Sequence, residues 1–364
     1  MSARLSGRTR LAVVFGGMSP EHEVSVTSAR SVMREADAGR FEVVPFGISK
    51  RGRWLTPDET RSRLVRVEAG ETRGLGDDEE RGLLASPDVL AALRDIDVAF
   101  PIVHGTFGED GTLQGFLELA GVPYVGSGVA ASAVGMDKEL MRAVFAQAGL
   151  PQAAYVVLRD AAIEAPTAEC LRSIEREIGY PCFVKPANGG SSVGVSKARS
   201  REDLGAALLE AGRHDRKVLV EAALEGREIE CAVLGNERPE ASPLGEITPR
   251  TAEFYTYEAK YLDDSTDLTV PARLDAATAA EVQALALRAY RAIDCAGLAR
   301  VDFFVTPSDG PRIIEINTLP GFTPISMYPR LWGEAGISYG ELISRLVDLA
   351  FERHERDARR GGAR

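Results

Sequence analysis

ARVDFFVTPSDGPRIIEINTLPG, residues 299–321, carries polar side chains where a buried strand would carry apolar ones. These residues are Arg300, Asp302, Glu315 and Asn317. Alternate side chains of a strand share a face, and the Pro-Ser-Asp-Gly link between the two apolar segments is typical of a turn. The stretch therefore predicts an antiparallel hairpin with one buried apolar face and one face that gathers an arginine, two carboxylates and a carboxamide.

A period of two assigns each hairpin residue to a face. In the first strand, one face carries Arg300, Asp302 and Phe304 and the other carries Val301, Phe303 and Val305. In the second strand, one face carries Ile313, Glu315 and Asn317 and the other carries Ile314 and Ile316. Two carboxylates within about 7 Å repel each other unless a cation joins them. Magnesium prefers such oxygen ligands and is usually shared with nucleotide phosphates. The hairpin thus predicts a magnesium site, and a solvated face with a surface Arg–Asp pair is the alternative.

Composition and charge limit the class of protein. The 364 residues are 45% hydrophobic and 27% charged, which is ordinary for a globular protein and enough for two or three domains. The net charge of −11 argues against a nucleic-acid partner, so a site for ATP or carboxylates must be positive locally. The four cysteines have no metal-ligand spacing, and we find neither a secretory signal nor a membrane span. We therefore expect a cytoplasmic protein without a membrane partner.

The order of elements predicts an α/β N-terminal domain followed by two α+β domains. Strand and helix patterns alternate from RLAVVFGG onward, with the first helix beginning near Ser19–Pro20. Residues 57–95 are charged and poorly periodic, which indicates a mobile excursion or weak hairpin or, as the preferred alternative, a simple surface insertion. One helix is expected over 129–149, and a closing helix from Tyr339 to about Arg353 is followed by a frayed tail. The predicted domain boundaries are 1–126, 127–221 and 222–364.

Two stretches of the predicted second and third domains suit a nucleotide. KPANGGSSVGV joins two strands, and its glycines, hydroxyls and Lys185 can approach phosphates, although a plain tight hairpin loop is the alternative. VLVEAALEGREIECAV places Glu221 and Glu228 around a short loop, where backbone groups and a carboxylate could meet adenine and ribose. Solvated glutamates are the alternative there.

Two further stretches suit a small anionic substrate and a cover over it. In HGTFGEDGTLQG, His104 ends a buried strand and a polar turn opens a helix whose N-terminus favours an anion, although such a histidine is often structural. RTAEFYTYEAKYLDDST has aromatic and charged residues without a steady period, which indicates an ordered loop that folds over something, with Lys260 and Tyr261 as its working residues. An ordinary surface loop is the alternative.

Together these motifs resemble those of the D-alanine–D-alanine ligase family of ATP-grasp enzymes. The match rests on HGTFGEDGTLQG, KPANGGSSVGV, FYTYEAKY and ARVDFF followed by IIEINTLPGFTPIS, and it extends from EHEVS at 21–25 to SMYP at 326–329. The resemblance implies an ATP-grasp fold and ATP-dependent ligation of two D-alanines through a D-alanyl phosphate, for peptidoglycan precursors. It also implies a homodimer formed through the N-terminal domain.

The resemblance implies where ATP and metal bind. Lys138 and Lys185 would hold the phosphates and Ser192 would lie in the flap above them; Glu221 would lie near adenine, Glu228 at the ribose, and Lys260 in the loop over the nucleotide. Asp302, Glu315 and Asn317 would bind two magnesium ions, for which manganese could substitute. Some relatives have a lysine and an aromatic residue where this chain has Ala222 and Ala223, so its adenine pocket differs from theirs.

The resemblance also implies residues for substrate and catalysis. Glu23 would receive the ammonium of the first D-alanine near His104, and would form a hydrogen-bonded group with Ser191 and Tyr261. Arg300 and the N–H of Gly321 would stabilise the oxyanion, while Ser326 and the backbone of Met327 would hold the second carboxylate. One alternative is a ligase that accepts D-lactate or D-serine as its second substrate, and Tyr261 argues against D-lactate. The other alternative is an ATP-binding module without turnover.

Overall fold

Three sheets organise the part of the chain that the structure describes, which comprises residues 7–76, 86–249 and 266–360 of a computed structural model. The strands are β1 (Thr9–Gly16), β2 (Phe41–Ile48), β3 (Val98–Ile102), β4 (Tyr155–Arg159), β5 (Cys182–Pro186), β6 (Ser196–Ala198), β7 (Lys217–Ala222), β8 (Arg227–Gly235), β9 (Glu240–Pro249), β10 (Thr266–Thr269), β11 (Gly297–Thr306) and β12 (Gly310–Asn317). The helices are α1 (His22–Glu35), α2 (Pro57–Glu68), α3 (Pro87–Arg94), α4 (Thr112–Leu119), α5 (Val129–Met136), α6 (Lys138–Gln147), α7 (Ala161–Glu164), α8 (Ala168–Glu177), α9 (Arg201–Gly212), α10 (Ala276–Ala292), α11 (Met327–Glu334) and α12 (Tyr339–Arg360).

The first sheet has the order β2-β1-β3 and is parallel, which confirms the predicted α/β opening. Its central strand is apolar and buried, as expected of a strand covered on both faces. Helix α1 begins at His22 and not at the predicted Ser19–Pro20. Ser19 Oγ donates to the carbonyl of His104 at 2.6 Å and accepts from the Glu21 N–H at 3.2 Å, so Ser19 belongs to the turn before the helix, which it ties to the segment after β3.

The described part of residues 57–95 contains helices α2 and α3, so the weak hairpin was wrong, whereas the preferred surface insertion stays a prediction. Thr56 accepts a hydrogen bond from the Glu59 N–H while the Glu59 carboxylate accepts from the Thr56 N–H, and Pro57 occupies the first turn. This capping box satisfies two N–H groups that helix formation leaves without partners. Residues 77–85 lie outside the described residues.

The second sheet has the order β4-β7-β5-β6 and its paired strands are antiparallel. The glycine-rich loop joins β5 to β6, which confirms the predicted strand–loop–strand arrangement. The single helix predicted over 129–149 is two helices, α5 and α6, because the backbone at Asp137 is extended. The Asp137 carboxylate accepts from the N–H groups of Glu139 and Leu140 and so begins the second helix.

The third sheet has the order β10-β9-β8-β11-β12, with the predicted antiparallel hairpin at one edge. Its faces differ from a strict period of two because a β-bulge lies between the Asp302–Glu315 pair and the Phe303–Ile313 pair. Ile313 and Ile316 therefore both belong to the apolar core, at 1% and 2% exposure, whereas Ile314 is only partly buried. The prediction that Ile313 shares the polar face was wrong for this reason.

The closing helix α12 extends to Arg360, so the frayed tail predicted after Arg353 was wrong for the described residues. Leu342 and Leu346 of this helix belong to the same apolar cluster as Leu11 and Val13 of β1. The C-terminal helix thus packs on the first sheet and ties the two ends of the chain together. Among the described helices, none combines the length and apolarity needed to cross a membrane.

Candidate active site

A cavity of about 800 Å³ is lined by residues from the regions of all three sheets. The predicted site residues that line it are Glu23, His104, Lys138, Lys185, Ser191, Ser192, Glu221, Glu228, Arg300, Glu315, Asn317, Gly321, Ser326 and Met327. Asp302 lies directly behind this surface and is 4% exposed. Lys260 and Tyr261 lie outside the described residues. The fold therefore brings positions far apart in the sequence to one cavity.

Arg300 is the cation at the centre of the hairpin's polar face. Its Nε and Nη2 atoms each donate to an Asp302 carboxylate oxygen at 2.7 Å, and Nε also lies 3.1 Å from Glu230 Oε1. Burial lowers the pKa of Arg300, but the charges of Asp302 and Glu230 outweigh burial and raise that pKa well above its ordinary value. The guanidinium is therefore held in one orientation, with its charge fixed at the cavity wall.

The predicted metal ligands meet across the two strands of the hairpin. Asp302 pairs with Glu315 in the strand register, and Asn317 Nδ2 donates to Asp302 Oδ2 at 2.9 Å. Two carboxylates and a carboxamide at one position are the donor set that suits a hard divalent cation. Among the described residues there is no cluster of three or more His, Cys, Asp or Glu side chains arranged for a metal, so this set depends on the carboxamide of Asn317.

The glycine-rich loop of the second sheet contacts the turn that precedes α1 beside the first sheet. Ser191 Oγ donates to Glu21 Oε1 at 2.5 Å, and Lys138 Nζ donates to the carbonyl of Gly189 at 2.8 Å. Ser191 and Ser192 both have positive φ, at 50° and 60°, a conformation that few non-glycine residues adopt. The loop is therefore fixed above the cavity by one contact from α6 and one from the turn before α1.

The structure does not bring Glu23 to Ser191, so the predicted hydrogen-bonded group was wrong in that member. Glu23 forms an ion pair with Lys50 at 2.5 Å, and both side chains are more than a third exposed. Glu21, two residues earlier, is 8% exposed and makes the contact. Glu21 precedes the first turn of α1 and reaches the loop, whereas Glu23 lies on the helix and, although it lines the cavity, pairs with Lys50.

Glu221, predicted to lie near the adenine, lines the cavity and has two cationic partners there. Its carboxylate forms ion pairs with Lys185 and Arg142, and all three groups are buried. Burial raises the pKa of Glu221, yet the charges of Lys185 and Arg142 outweigh burial and hold the pKa below its ordinary value. Glu221 therefore holds Lys185 in place at the cavity wall.

His104 lies at the end of the cavity nearest β3. Its Nδ1 contacts the carbonyl of Leu319 at 3.2 Å and lies 3.5 Å from Glu109 Oε1, while Nε2 is buried without a hydrogen-bond partner among the described residues. Burial lowers the pKa of His104, but the hydrogen bond and charge of Glu109 raise it above its ordinary value overall. A buried imidazole with one unused nitrogen suits a polar ligand in the cavity.

Gly321 and Ser326 line the cavity in the segment that leads into α11. Ser326 Oγ accepts from the Thr323 N–H at 3.1 Å, and Ser326 is the N-cap residue of α11 although its side chain does not cap the helix. The ideal Cβ position of Gly321 lies 3.2 Å from Ser326 Oγ, so the two residues are neighbours. Together they place a hydroxyl and the N–H groups at the start of α11, beginning with Met327, where a carboxylate could bind.

Four residues of the site were missed from the sequence: Glu21, Glu109, Arg142 and Glu230. Glu230 had a legible signal, because it lies two residues after Glu228 on β8 and therefore shares its face. Arg142 had none, since a single arginine in an amphipathic helix is ordinary until its buried partner is known.

Comparison with known proteins agrees with this geometry. Residues 10–127 match the D-ala D-ala ligase N-terminus family, and residues 144–348 match the D-ala D-ala ligase C-terminus family. The chain belongs to the D-alanine–D-alanine ligase family. It is 48% identical over 348 residues to the D-alanine–D-alanine ligase of Bacillus velezensis, with 94% of this chain and 97% of the relative covered. It is 49% identical over 371 residues to that of Mycobacterium bovis, with 96% and 97% covered.

Solved structures similar to this family member have the same ATP-grasp fold. The D-alanine–D-alanine ligase from Coxiella burnetii superposes with a TM-score of 0.79 at 34% identity, and 97% of each chain is covered. The VanG D-Ala:D-Ser ligase from Enterococcus faecalis superposes with a TM-score of 0.78 at 33% identity, covering 94% of this chain and 99% of that one. The expected ATP-grasp fold is confirmed.

Proposed function

We propose that this chain joins two D-alanine molecules to D-alanyl-D-alanine, with ATP converted to ADP and phosphate. The observation that carries the proposal is the single cavity in which Lys138, Lys185, Arg300 and Ser326 meet Glu21 from the first domain. Lysines suit the phosphates of ATP, and the other groups suit an amino acid with charges at both ends. We also propose that the three domains meet near residues 126 and 221.

The reaction requires two transfers. The γ-phosphoryl group passes from ATP to a carboxylate oxygen of the first D-alanine, leaving ADP and an acyl phosphate. The amine of the second D-alanine then attacks the acyl carbon, loses a proton, and the carbon–oxygen bond to phosphate breaks as the amide forms. Both steps concentrate negative charge, so pre-positioned cations and N–H donors lower the barrier. Arg300 and the N–H of Gly321 take this role.

Substrate positions follow from the fixed charges of the cavity. Glu21, held by Ser191, receives the ammonium of the first D-alanine, and His104 lies on the same side. Ser326 and the N–H of Met327 bind the carboxylate of the second D-alanine at the start of α11. Lys138 and Lys185 bind the phosphates of ATP and Glu228 binds its ribose.

Asp302, Glu315 and Asn317 are proposed to hold two magnesium ions, or manganese in their place. The bound metal offsets phosphate charge and orients the γ-phosphoryl group. The chain itself supplies rigidity, because Asp302 is fixed by Arg300 and lies opposite Glu315. To present its oxygen to a metal, Asn317 would turn its carboxamide away from the arrangement in which Nδ2 donates to Asp302.

Water must be excluded because the acyl phosphate hydrolyses. We propose that Lys260 and Tyr261, which lie outside the described residues, take part in this exclusion. We also propose a homodimer formed through the N-terminal domain and action in the cytoplasm for peptidoglycan precursors. The reduced state of Cys170, Cys182, Cys231 and Cys295 in the structure is compatible with that compartment.

The test is an acceptor assay with purified enzyme, ATP and magnesium. D-Alanine alone should release phosphate and yield the dipeptide, whereas D-serine or D-lactate as second substrate should give little mixed product at neutral pH. A preference for either alternative acceptor would overturn the dipeptide assignment but keep the ligase. Phosphate release that does not depend on D-alanine would overturn the ligase itself.

A further inference from the structure

A second cavity, of about 580 Å³, shares no lining residue with the catalytic one. It lies where the link after β3 and α4 meets the closing helix, and Gly128, Asn236, Cys295 and Arg353 contribute to its wall. The ligase reaction uses none of these residues. The cavity has the volume of an ordinary small-molecule site, which spans about 300–1,000 Å³.

The N-terminus of helix α5 opens into this cavity. Gly128 is its N-cap residue, no side chain caps the helix, and Val129, Ala130 and Ala131 of the first turn line the cavity wall. The first N–H groups of a helix have no partner within the helix and carry partial positive charge, so they favour an anion. An uncapped N-terminus facing a cavity leaves these donors available to a ligand.

A buried guanidinium faces the same N-terminus. Arg353 of α12 is 8% exposed and lines the cavity, and its Nη1 lies 3.6 Å from the position that a Cβ on Gly128 would occupy. Its guanidinium stacks on the Tyr124 ring at 4.1 Å and Nη2 donates to the Tyr124 carbonyl at 3.1 Å. Among the described residues, no carboxylate lies within ion-pair distance of Arg353. Burying such a charge without an anionic partner is costly.

The acidic side chains of the cavity have other partners or positions. Glu118 accepts a hydrogen bond from the Tyr124 hydroxyl at 2.9 Å. Glu237 and Asp357 form ion pairs with Arg356 at 3.9 and 3.4 Å. Asp294 also lines the cavity and has an exposed side chain. These carboxylates repel a ligand that carries several negative charges.

We propose that this cavity binds a small ligand through a single carboxylate or phosphate group, held between Arg353 and the first N–H groups of α5. The remainder of the ligand is neutral or positive, because it faces the acidic side of the cavity. The inference does not rest on the ligase reaction. One helix nevertheless reaches both cavities, because Gly135 and Met136 at the other end of α5, roughly 12 Å away, line the catalytic cavity.

The test measures binding of inorganic phosphate and, separately, of acetate to the full-length enzyme. Calorimetry is carried out with the catalytic cavity saturated by a non-hydrolysable ATP analogue, magnesium and D-alanine, so that only the second cavity remains. We expect one saturable anion per chain. Phosphate without acetate would identify a phosphate ligand, acetate without phosphate a carboxylate ligand, and the absence of binding by either would overturn the proposal.

Two substitutions locate the anion. The backbone at Gly128 is extended, with φ −71° and ψ 178°, so aspartate fits there and Gly128→Asp places a tethered carboxylate beside Arg353. This variant should raise the midpoint of thermal unfolding and weaken anion binding by about tenfold or more. Arg353→Met should weaken binding as much while lowering the midpoint. Gly128→Ala is the matched control and should bind like wild type, and unchanged binding by Gly128→Asp would overturn the proposal.

Discussion

Ser191 Oγ and Glu21 Oε1 lie 2.5 Å apart although 170 residues separate them in the sequence. The hydrogen bond joins the glycine-rich loop of the second sheet to the turn that precedes α1 in the first. It also fixes a carboxylate inside the cavity that holds Lys138 and Lys185. The position of the loop and the position of this carboxylate are therefore coupled, and under the proposed function this coupling links the flap to amino-acid binding.

Glu21→Gln should lower kcat/KM for D-alanine by about 10–100-fold, because a hydrogen bond to a charged group is worth roughly 1.5–3 kcal/mol. Glu23→Gln is the matched control two residues away. It should change unfolding free energy by at most about 1 kcal/mol, since it removes an exposed pair with Lys50, and should leave turnover near wild type. Steady-state kinetics with varied D-alanine make the comparison, and greater damage from Glu23→Gln would return the role to that residue.

Local sequence patterns predicted the hairpin strands and their pairing, but they did not predict the β-bulge in the hairpin or helix α2. The hairpin was legible because alternation and turn residues act locally. The bulge at Ile314 was not, since nothing in Arg-Ile-Ile-Glu marks which isoleucine leaves the core. Helix α2 was missed because its apolar period is weak, although Thr56, Pro57 and Glu59 carried a capping signal that outweighs it.

The contacts of the site are harder to read than its members. The motif resemblance named residues that line one cavity where they are described, yet it chose Glu23 as the partner of Ser191, whereas the fold places Glu21 there. The two residues differ only in whether they precede or enter α1, and that depends on where the helix begins. Helix ends are set by tertiary contacts such as the one from Ser19 to His104, which the sequence does not display.

Arg300→Ala should lower kcat by ~10² or more, the cost of losing one oxyanion donor. It should also destabilise the fold by about 3–5 kcal/mol, because Asp302 and Glu230 would remain buried without their cation. Arg300→Lys separates the effects: it keeps the charge and recovers stability, but loses the paired donors and recovers less turnover. Urea unfolding and initial rates measure both, and near-normal turnover in Arg300→Ala would contradict the assigned role.

Glu315→Ala should abolish magnesium-dependent ATP turnover, because the carboxylate opposite Asp302 is the strongest remaining metal ligand in the predicted set. Phosphate release is followed while magnesium is varied, so that weakened metal binding is distinguished from lost chemistry. Asp309→Ala removes an exposed carboxylate at the turn of the same hairpin and should behave like wild type. Activity of Glu315→Ala with an unchanged magnesium requirement would remove this residue from the metal site.

Glu221→Gln should destabilise the fold by about 3–5 kcal/mol at neutral pH, because Lys185 and Arg142 lose the carboxylate between them. The pKa of Glu221 is lowered in the fold, so its ion pairs stabilise fully above the ordinary value of 4.5 and lose this effect as pH falls through the folded-state pKa. The difference from wild type should therefore shrink in acid. Urea unfolding from neutral to acidic pH measures it, with exposed Glu225→Gln as control. A difference that stays constant with pH would mean that Glu221 acts through packing and not through charge.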